Sequence, residues 1–184
     1  YQPFIQYLGR AGVDMADLPR WLSQVDLEGH ERGDVPGEVL LGRIAGMATR
    51  PLDLAELRTH WLSMFEPWDE MFTLASGLKV DYRVYLLSNI GDMHWAHLDA
   101  LYGLDTLVHG ACASFRVGAI KPHVDIYRKA ESMFDLDPAA TVTEPSLAAV
   151  PLTVTRVKLS SLPLVASVES GAAVAAPTIT LPRL

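Results

Sequence analysis

The sequence is poor in cysteine, in basic residues and in long apolar segments, and each shortage excludes a class of protein. The single cysteine, Cys112, excludes an intrachain disulfide and suits a reducing cytoplasm. The 15 Lys and Arg are outnumbered by 22 Asp and Glu, so the net charge is -7. Because nucleic acids bind to basic surfaces, we expect no nucleic-acid partner. The apolar stretch 161–182 is interrupted by Pro163, Glu169 and Pro177, so we expect no membrane span and a cytoplasmic protein.

Aromatic residues are absent from the last part of the chain, which divides the sequence at about residue 142. All four Trp, six Tyr and five Phe precede Pro138. The segment 143–184 consists mainly of Ala, Val, Thr, Ser, Leu and Pro, with no helical period and only fragments of alternation such as LTVTRVKL. We interpret 143–184 as an atypical tail, unrelated to the preceding domain or disordered. A change of reading frame near codon 142 and a diverged continuation of the domain both account for it.

The first 72 residues carry the apolar periodicity of helices and no strand signal. In the segment LAELRTHWLSMFEPW the apolar side chains recur at helical spacing. Asp53 precedes it as a predicted N-cap, with Glu56 three residues later as in a capping box. The start, YQPFIQYLGRAG, is typical of the middle of a helical segment, so we expect the chain to be truncated at its front. We predict a helical domain over 1–72.

From about residue 80 the pattern changes to alternating strands and helices. YRVYLLS is typical of a strand buried on both faces of a parallel sheet, and HWAHLDALYG is a predicted helix closed by Gly103. SFRVG is a second predicted strand, and KPHVDIYRKAESMF a second helix with Pro122 in its first turn. DLDPAATV leads into a third strand. Because such units imply right-handed crossovers, we predict an α/β fold with a Rossmann-like parallel sheet.

Two polar residues, Ser88 and Asn89, end the first predicted strand. In an open α/β sheet, ligands bind beyond the carboxyl ends of the strands. The hydroxyl, the amide and the nearby backbone N–H groups are suited to a phosphate oxygen or a similar anion. The alternative is that Ser88 caps the following helix. Asp92, in the same loop, either lines this cleft or acts as a helix cap.

A lysine follows the second predicted strand. In GAIKP, Lys121 lies between Gly118 and Pro122, and its ammonium group is suited to phosphate or carboxylate. A single loop lysine is more often solvated. A binding site is therefore indicated only by both segments together, an apolar strand that ends in Ser-Asn and then a G-x-x-K-P that opens a helix.

These segments together resemble the haloacid dehalogenase-like (HAD) hydrolase superfamily, in the subgroup with a helical cap inserted early in the chain. LLSN resembles its second motif and VGAIKPHVDIYRKA its third, FEPWDEMFTLASGLKVDYRVYLLSN resembles the lead-in helix and strand, and HERGDVPGEVLLGRIA resembles the cap. The resemblance covers 1–142 and implies a helical cap over 1–72 and an incomplete α/β core over 73–142. It also implies that Ser88 and Asn89 bind the phosphate of a small phosphorylated metabolite and that Lys121 neutralises it.

The resemblance implies hydrolysis of a phosphate monoester through an aspartyl-phosphate, with Mg2+ as cofactor, but two of the motifs for this are missing. No apolar strand ending in D-x-D supplies a nucleophile, since the DLD at 135–137 follows a helical pattern. No acidic pair holds the metal, since Glu144 comes too early and Pro145 would disrupt a central strand. Of the catalytic residues, Ser88 and Lys121 remain, so we predict negligible phosphatase activity. The alternative is a non-catalytic binding or interaction module with the same fold.

Residues suited to a metal are sparse elsewhere. His94 and His97 are three residues apart on a predicted helix, with His109 and Cys112 downstream, which is a loose spacing for metal ligands. Scattered core and surface histidines are the alternative. Nothing marks a base near Cys112, so we interpret it as a small buried residue.

A sheet without its first, central strand would expose an edge and apolar surface. The tail segment PLTVTRVKL is therefore a candidate for a replacement strand.

Overall fold

The computed structural model describes residues 2–14 and 16–138, together with the backbone of two strands at 153–154 and 163–168. The amino-terminal part is helical, as predicted. It consists of α1 (Gln2–Arg10), α2 (Leu18–Val25), α3 (Leu27–Arg32), α4 (Gly37–Gly46) and α5 (Leu54–Leu62). None of the described helices is long and apolar enough to cross a membrane.

These five helices pack around a core of their own. The side chains that are almost completely inaccessible to solvent come from α1, α2, α4 and α5, and include Leu8, Val25, Leu40, Leu41, Ile44 and Leu57. Full burial of one such side chain contributes about 1.5–3 kcal/mol. Asp53 caps α5, because its carboxylate accepts hydrogen bonds from the backbone N–H groups of Ala55 and Glu56. The predicted N-cap is therefore confirmed.

The second part alternates helices with parallel strands. It contains α6 (Asp69–Leu78), β1 (Arg83–Ser88), α7 (Asp92–Tyr102), α8 (Leu104–Leu107), β2 (Gly110–Ala113), α9 (Ser114–Val117) and α10 (Val124–Phe134). Strand β1 pairs in parallel with β2, from Tyr85 opposite Gly110 to Ser88 opposite Ala113. Helix α7 ends at Gly103 in the left-handed conformation, as predicted. The predicted α/β fold with a helical cap is confirmed, whereas the boundaries 1–72 and 73–142 stay predictions.

Strand β1 is buried on both faces, which explains its uninterrupted apolar sequence. Val84 and Leu86 pack with Trp95 and other side chains in one hydrophobic cluster. Tyr85 and Leu87 pack in a second cluster that includes residues of α10. Because successive side chains of a strand point to opposite faces, β1 lies between two layers of side chains.

The second strand is Gly110–Ala113, so the prediction of a strand over SFRVG was wrong. This segment instead forms α9, which ends at Gly118 in the left-handed conformation. The strand GACA has small side chains and no β-branched residue, so it carries little strand signal. Packing favours glycine at its first position, because a Cβ atom at Gly110 would collide with the ring of Phe134.

The predicted position of Pro122 inside a helix was also wrong. Helix α10 begins at Val124, and Pro122 precedes it in a loop, joined to Lys121 by a cis peptide bond. The geometry of this loop comes from contacts outside the local sequence, which are described below. The predicted third strand at the end of DLDPAATV lies outside the described residues.

The other edge of β1 is covered by the tail. The sheet order is β2-β1-β4-β3, where β3 is Thr153–Val154 and β4 is Pro163–Val168. Strand β4 runs parallel to β1, from Arg83 opposite Pro163 to Ser88 opposite Val168. The neighbour of β1 is therefore 163–168, whereas Thr153–Val154 of the predicted PLTVTRVKL form the edge strand β3 beside it. The run PLVASV carries no charge and suits a central position, whereas the predicted segment contains two basic residues, which are typical of a sheet edge.

Candidate functional site

Asn89 and Lys121 are joined directly at the carboxyl end of β1. The amide nitrogen Nδ2 of Asn89 donates a hydrogen bond to the backbone oxygen of Lys121 over 3.0 Å. The backbone N–H of Lys121 donates to Oδ1 of Asn89 over 2.7 Å. Lys121 itself is only 7% exposed. The asparagine therefore holds the loop before α10 against the end of β1 and positions the lysine at that edge of the sheet.

Ser88 lies beside this pair but faces a different space. Its side chain is on the same face of β1 as Leu86, it is 1% exposed, and its hydroxyl has no hydrogen-bond partner within the described ranges. It lines a cavity of about 60 Å3, and neither Asn89 nor Lys121 is among the described residues of that lining. Ser88 does not cap α7, whose N-cap is Gly91. The alternative role of Ser88 as a helix cap is therefore excluded.

Ser114 is a site residue that the sequence pattern did not reveal. It is fully buried, and its Oγ accepts a hydrogen bond from the backbone N–H of Ile90 over 2.9 Å. The same hydroxyl donates to the backbone oxygen of Glu31 over 2.5 Å. Ser114 thus connects the loop after β1, the end of β2 and the cap helix α3. The sequence offered no signal for this contact, since Ser114 was the first letter of the wrongly predicted strand.

Asp92 is the first residue of α7, whose N-cap is Gly91, and of its two predicted roles that of a cap holds at the N-terminus of α4. Its Oδ1 accepts hydrogen bonds from the backbone N–H of Met93, at 2.7 Å, and of Gly37, at 3.1 Å. One carboxylate therefore lies at the positive ends of both α7 and α4, where a negative charge is stabilising. A Cβ atom at Gly37 would collide with Met93 and approach Asp92, so the close approach of these two helices requires glycine.

Two buried histidines complete the contact between the cap and the core. His94 donates from Nε2 to the backbone oxygen of Trp61 over 2.8 Å. Burial lowers the pKa of His94 to about 4, so it is neutral at physiological pH. His30 donates from Nδ1 to the backbone oxygen of Val35 over 2.8 Å, which requires the proton on Nδ1. Its Nε2 is directed at Gly91, where a Cβ atom would collide with the ring.

The residues considered as metal ligands are not brought together. The described residues contain no group of three or more His, Cys, Asp or Glu side chains that could hold a metal ion. His94 uses its Nε2 on Trp61, and the Nδ1 of His109 accepts a hydrogen bond from the backbone N–H of Val84. Cys112 is buried in the core on the other face of β1, as predicted for a small buried residue. Burial raises the pKa of its thiol to about 11, so it is not a nucleophile at neutral pH.

The residues at the carboxyl end of β1 do not fit Mg2+. This ion requires several oxygen ligands, usually including one or two carboxylates. The carboxylate in the loop after β1 belongs to Asp92, and it already accepts hydrogen bonds from two helix N-termini. Asp135, in the DLD segment, follows the last residue of α10 at the far end of that helix. The described side chains at this edge therefore do not form a binding site for Mg2+, and we derive no reaction step that uses the ion.

Comparison with known proteins gives a likeness of fold. No protein-family model and no curated protein sequence matches the chain. A HAD family enzyme from Bacteroides thetaiotaomicron is 19% identical, with a TM-score of 0.65 over 73% of this chain and 71% of that one. The same enzyme in complex with magnesium and inorganic phosphate gives 20% identity and a TM-score of 0.64, over 73% and 71% of the two chains.

A predicted HAD-like family hydrolase from Porphyromonas gingivalis is 23% identical, with a TM-score of 0.58 over 73% of this chain and 69% of that one. Identities at this level show a shared fold. The resemblance found in the sequence is confirmed at that level, and the chain has the α/β fold with a helical cap of the HAD-like hydrolases.

Proposed function

We propose that this chain carries the phosphate-binding end of a HAD-like hydrolase, and that it binds phosphate monoesters of small metabolites without hydrolysing them. The observation that carries the proposal is the reciprocal hydrogen bonding between Asn89 and the backbone of Lys121. It holds a lysine at the carboxyl end of a central parallel strand, which is where ligands bind in open α/β sheets. Inorganic phosphate in one structure with a similar fold supports the choice of ligand.

Three side chains would share the work of binding. The Lys121 ammonium offsets the charge of the phosphate, and its low exposure strengthens the attraction because little water screens it. Ser88 faces the neighbouring cavity rather than Lys121, and its hydroxyl, which has no partner among the described residues, would donate a hydrogen bond to an oxygen of the same ligand from that side. Asn89 uses its oxygen and one N–H on the lysine backbone, which leaves its second N–H for the anion.

The absence of turnover follows from the residues of the polypeptide. Transfer of the phosphoryl group needs a nucleophile in line with the leaving oxygen. The one D-x-D of the sequence, at 135–137, follows the helix α10 rather than a strand, and Cys112 is buried in its protonated form on the other face of the sheet. An inactive hydrolase and a non-catalytic binding module with this fold would both bind phosphate in this way. A measurement of turnover therefore distinguishes an active enzyme from either of them.

Calorimetric titration with inorganic phosphate tests the binding. We expect Lys121→Ala to weaken binding about tenfold or more, because a partly desolvated charge pair is lost. Arg128→Ala is the matched control, since it removes a positive charge from the exposed face of α10 and should leave the affinity unchanged. We also expect equal affinity with Mg2+ and with a chelator. Equal weakening by Lys121→Ala and Arg128→Ala would mean that the effect is only one of net charge.

Release of phosphate from p-nitrophenyl phosphate, with Mg2+ present, tests the second half of the proposal. The expected rate is that of the buffer alone. Mg2+-dependent release by the pure protein, lost in Lys121→Ala, would contradict the claim that the chain binds without hydrolysis.

A further inference from the structure

The cavity beside Ser88 is nearly free of charge. It lies between β1 and the helices α6 and α7, and the side chains that form most of its wall are aromatic or aliphatic, among them Phe65, Trp68, Met71, Phe72, Leu98 and Tyr102. It reaches the carboxyl end of β1 at Ser88 and Ile90, and its rim includes the exposed Glu66 and Pro67. The cavity therefore extends from the proposed phosphate-binding edge into an apolar interior.

Two polar groups of the lining lack hydrogen-bond partners. The hydroxyl of Ser88 and the indole N–H of Trp95 are both buried, and neither has a partner among the residues described. A buried donor without an acceptor costs about 1–3 kcal/mol, so such groups are rare in the interior of proteins. A ligand that brings an oxygen to this edge and an apolar group behind it would satisfy a donor and fill the space at once.

The size and charge of the cavity restrict the ligand further. Since one water needs about 10–15 Å3, a volume of about 60 Å3 corresponds to about four to six waters, or a group of similar heavy-atom count. The charged residue of the described lining is Glu66, which would repel a second anionic group at the rim. A small apolar group with a single phosphate fits, whereas sugar phosphates and nucleotides leave polar hydroxyls or further charges against apolar walls.

We propose that this cavity binds the organic part of the phosphorylated ligand, and that this part is a small apolar group of the size of a phenyl ring or a branched alkyl chain. The inference rests on the proposed phosphate site. It assigns Trp68, Phe72 and Leu98 to the selection of the ligand's organic group, which is a role distinct from that of the phosphate-binding residues.

Tryptophan fluorescence provides the test, because Trp68 and Trp95 are part of the wall and report on its occupation. Three probes are titrated into the full chain, namely inorganic phosphate, phenyl phosphate and glycerol 3-phosphate. We expect phenyl phosphate to bind at least about tenfold more tightly than the other two, because only its organic group is apolar. Similar affinities for all three probes would overturn the inference while leaving the phosphate site intact.

Two variants on α7 make the location specific. Leu98→Phe narrows the cavity and should reduce the ratio of the affinities for phenyl phosphate and inorganic phosphate to about twofold or less. Leu101→Phe makes the same change on the same helix at a residue that is 57% exposed and outside the described lining, so the advantage should remain. Far-UV circular dichroism checks that both variants fold. An equal loss in both variants, or in neither, would overturn the assignment to this cavity.

The failure of the phosphate site itself would look different. If no phosphate compound binds, phenol alone is titrated against the wild type and Leu98→Phe. If phenol binds to the wild type and binds more weakly to Leu98→Phe, the cavity is an apolar site that does not depend on phosphate. If phenol does not bind, the inference is overturned together with the proposed function.

Discussion

At the scale of single residues, the local environment decides which polar side chains are available for chemistry. His94, Asp92 and Asn89 are all polar residues of one short segment, and each is committed to a backbone partner far away in the sequence. Ser88, in the same segment, has no such partner among the described residues. Residue type alone does not separate these four residues, whereas the hydrogen bonds of the structure leave the hydroxyl of Ser88 and the second amide N–H of Asn89 for a ligand.

His94 should make the stability of the protein depend on pH. Its pKa is lowered by burial to about 4, whereas the unfolded chain binds the proton at about 6.5. As the pH falls, the unfolded state therefore binds the proton before the folded state does. The contribution of His94 to the free energy of unfolding is fully present above about pH 6.5 and is lost as the pH falls toward 4. The total loss is about 3 kcal/mol. Urea unfolding at several pH values between about 7 and 5, above the main range of carboxylate titration, measures this slope.

The control for this experiment is His94→Gln, which keeps an N–H donor for the backbone oxygen of Trp61 but does not titrate. Its stability should be flatter over the same pH range. The groups that face His94 electrostatically are His30, His97 and Asp92, and all of them remain in the variant. An unchanged slope in His94→Gln would assign the pH dependence to these neighbours.

At the scale of elements, the loop after β1 joins the cap to the core. The backbone N–H of Ile90 donates to Ser114, and Gly91 lies against the ring of His30. The carboxylate of Asp92 accepts a hydrogen bond at the N-terminus of α4. Ser114 extends the contact with Ile90 to the backbone oxygen of Glu31, next to His30 on α3. Because these contacts lie immediately after the end of β1, the position of the cap depends on the same loop that begins the proposed site.

Asp92→Ala should destabilise the protein by about 1–2 kcal/mol, since α4 and α7 both lose a charged acceptor at their N-termini. Asp92→Asn keeps one oxygen acceptor and should cost less. Asp125→Ala is the matched control, because it removes a carboxylate from the first turn of α10, where no cap between two helices is involved. Thermal unfolding measures all three. An equal loss in Asp92→Ala and Asp125→Ala would mean that the carboxylate of Asp92 acts on its own helix only.

At the scale of the whole molecule, separate hydrophobic clusters are joined through polar contacts. The cluster of the cap contains Leu40, and a cluster of the core contains Leu86, and both side chains are completely buried. The hydrogen bonds of His94, Asp92 and Ser114 cross between the two parts. We therefore expect cap and core to unfold together.

Leu40→Ala and Leu86→Ala test this cooperativity. Each variant should lose about 2–5 kcal/mol, because a fully buried leucine is replaced by a cavity. If the two parts unfold as one unit, both variants lower the midpoint of a single transition, followed by circular dichroism and fluorescence together. Leu101→Ala, at an exposed position, should change little. Two transitions, each shifted by only one of the buried variants, would show that cap and core unfold independently.

The sequence by itself determined what depends on near neighbours along the chain. Helical periodicity, the Asp53 cap, the buried strand YRVYLLS and the glycine that closes α7 are all interactions within a few residues, and each is visible as a pattern. The order in which polar residues follow strands also depends only on the chain, and it indicated the end of β1 for Ser88 and Asn89, whereas Lys121 follows the helix α9 and not the predicted strand.

Only the tertiary structure decided which of these residues meet. Asn89 and Lys121 are 32 residues apart, and Asp92 and Gly37 are 55 apart, so their bonds result from packing rather than from any local preference. The strand GACA and the neighbour of β1 at 163–168 are equally invisible to propensity, because their places in the sheet are set by the elements around them. The direction of Ser88 into an apolar cavity follows from the same packing, since a strand alternates its faces but only its neighbours decide what each face meets.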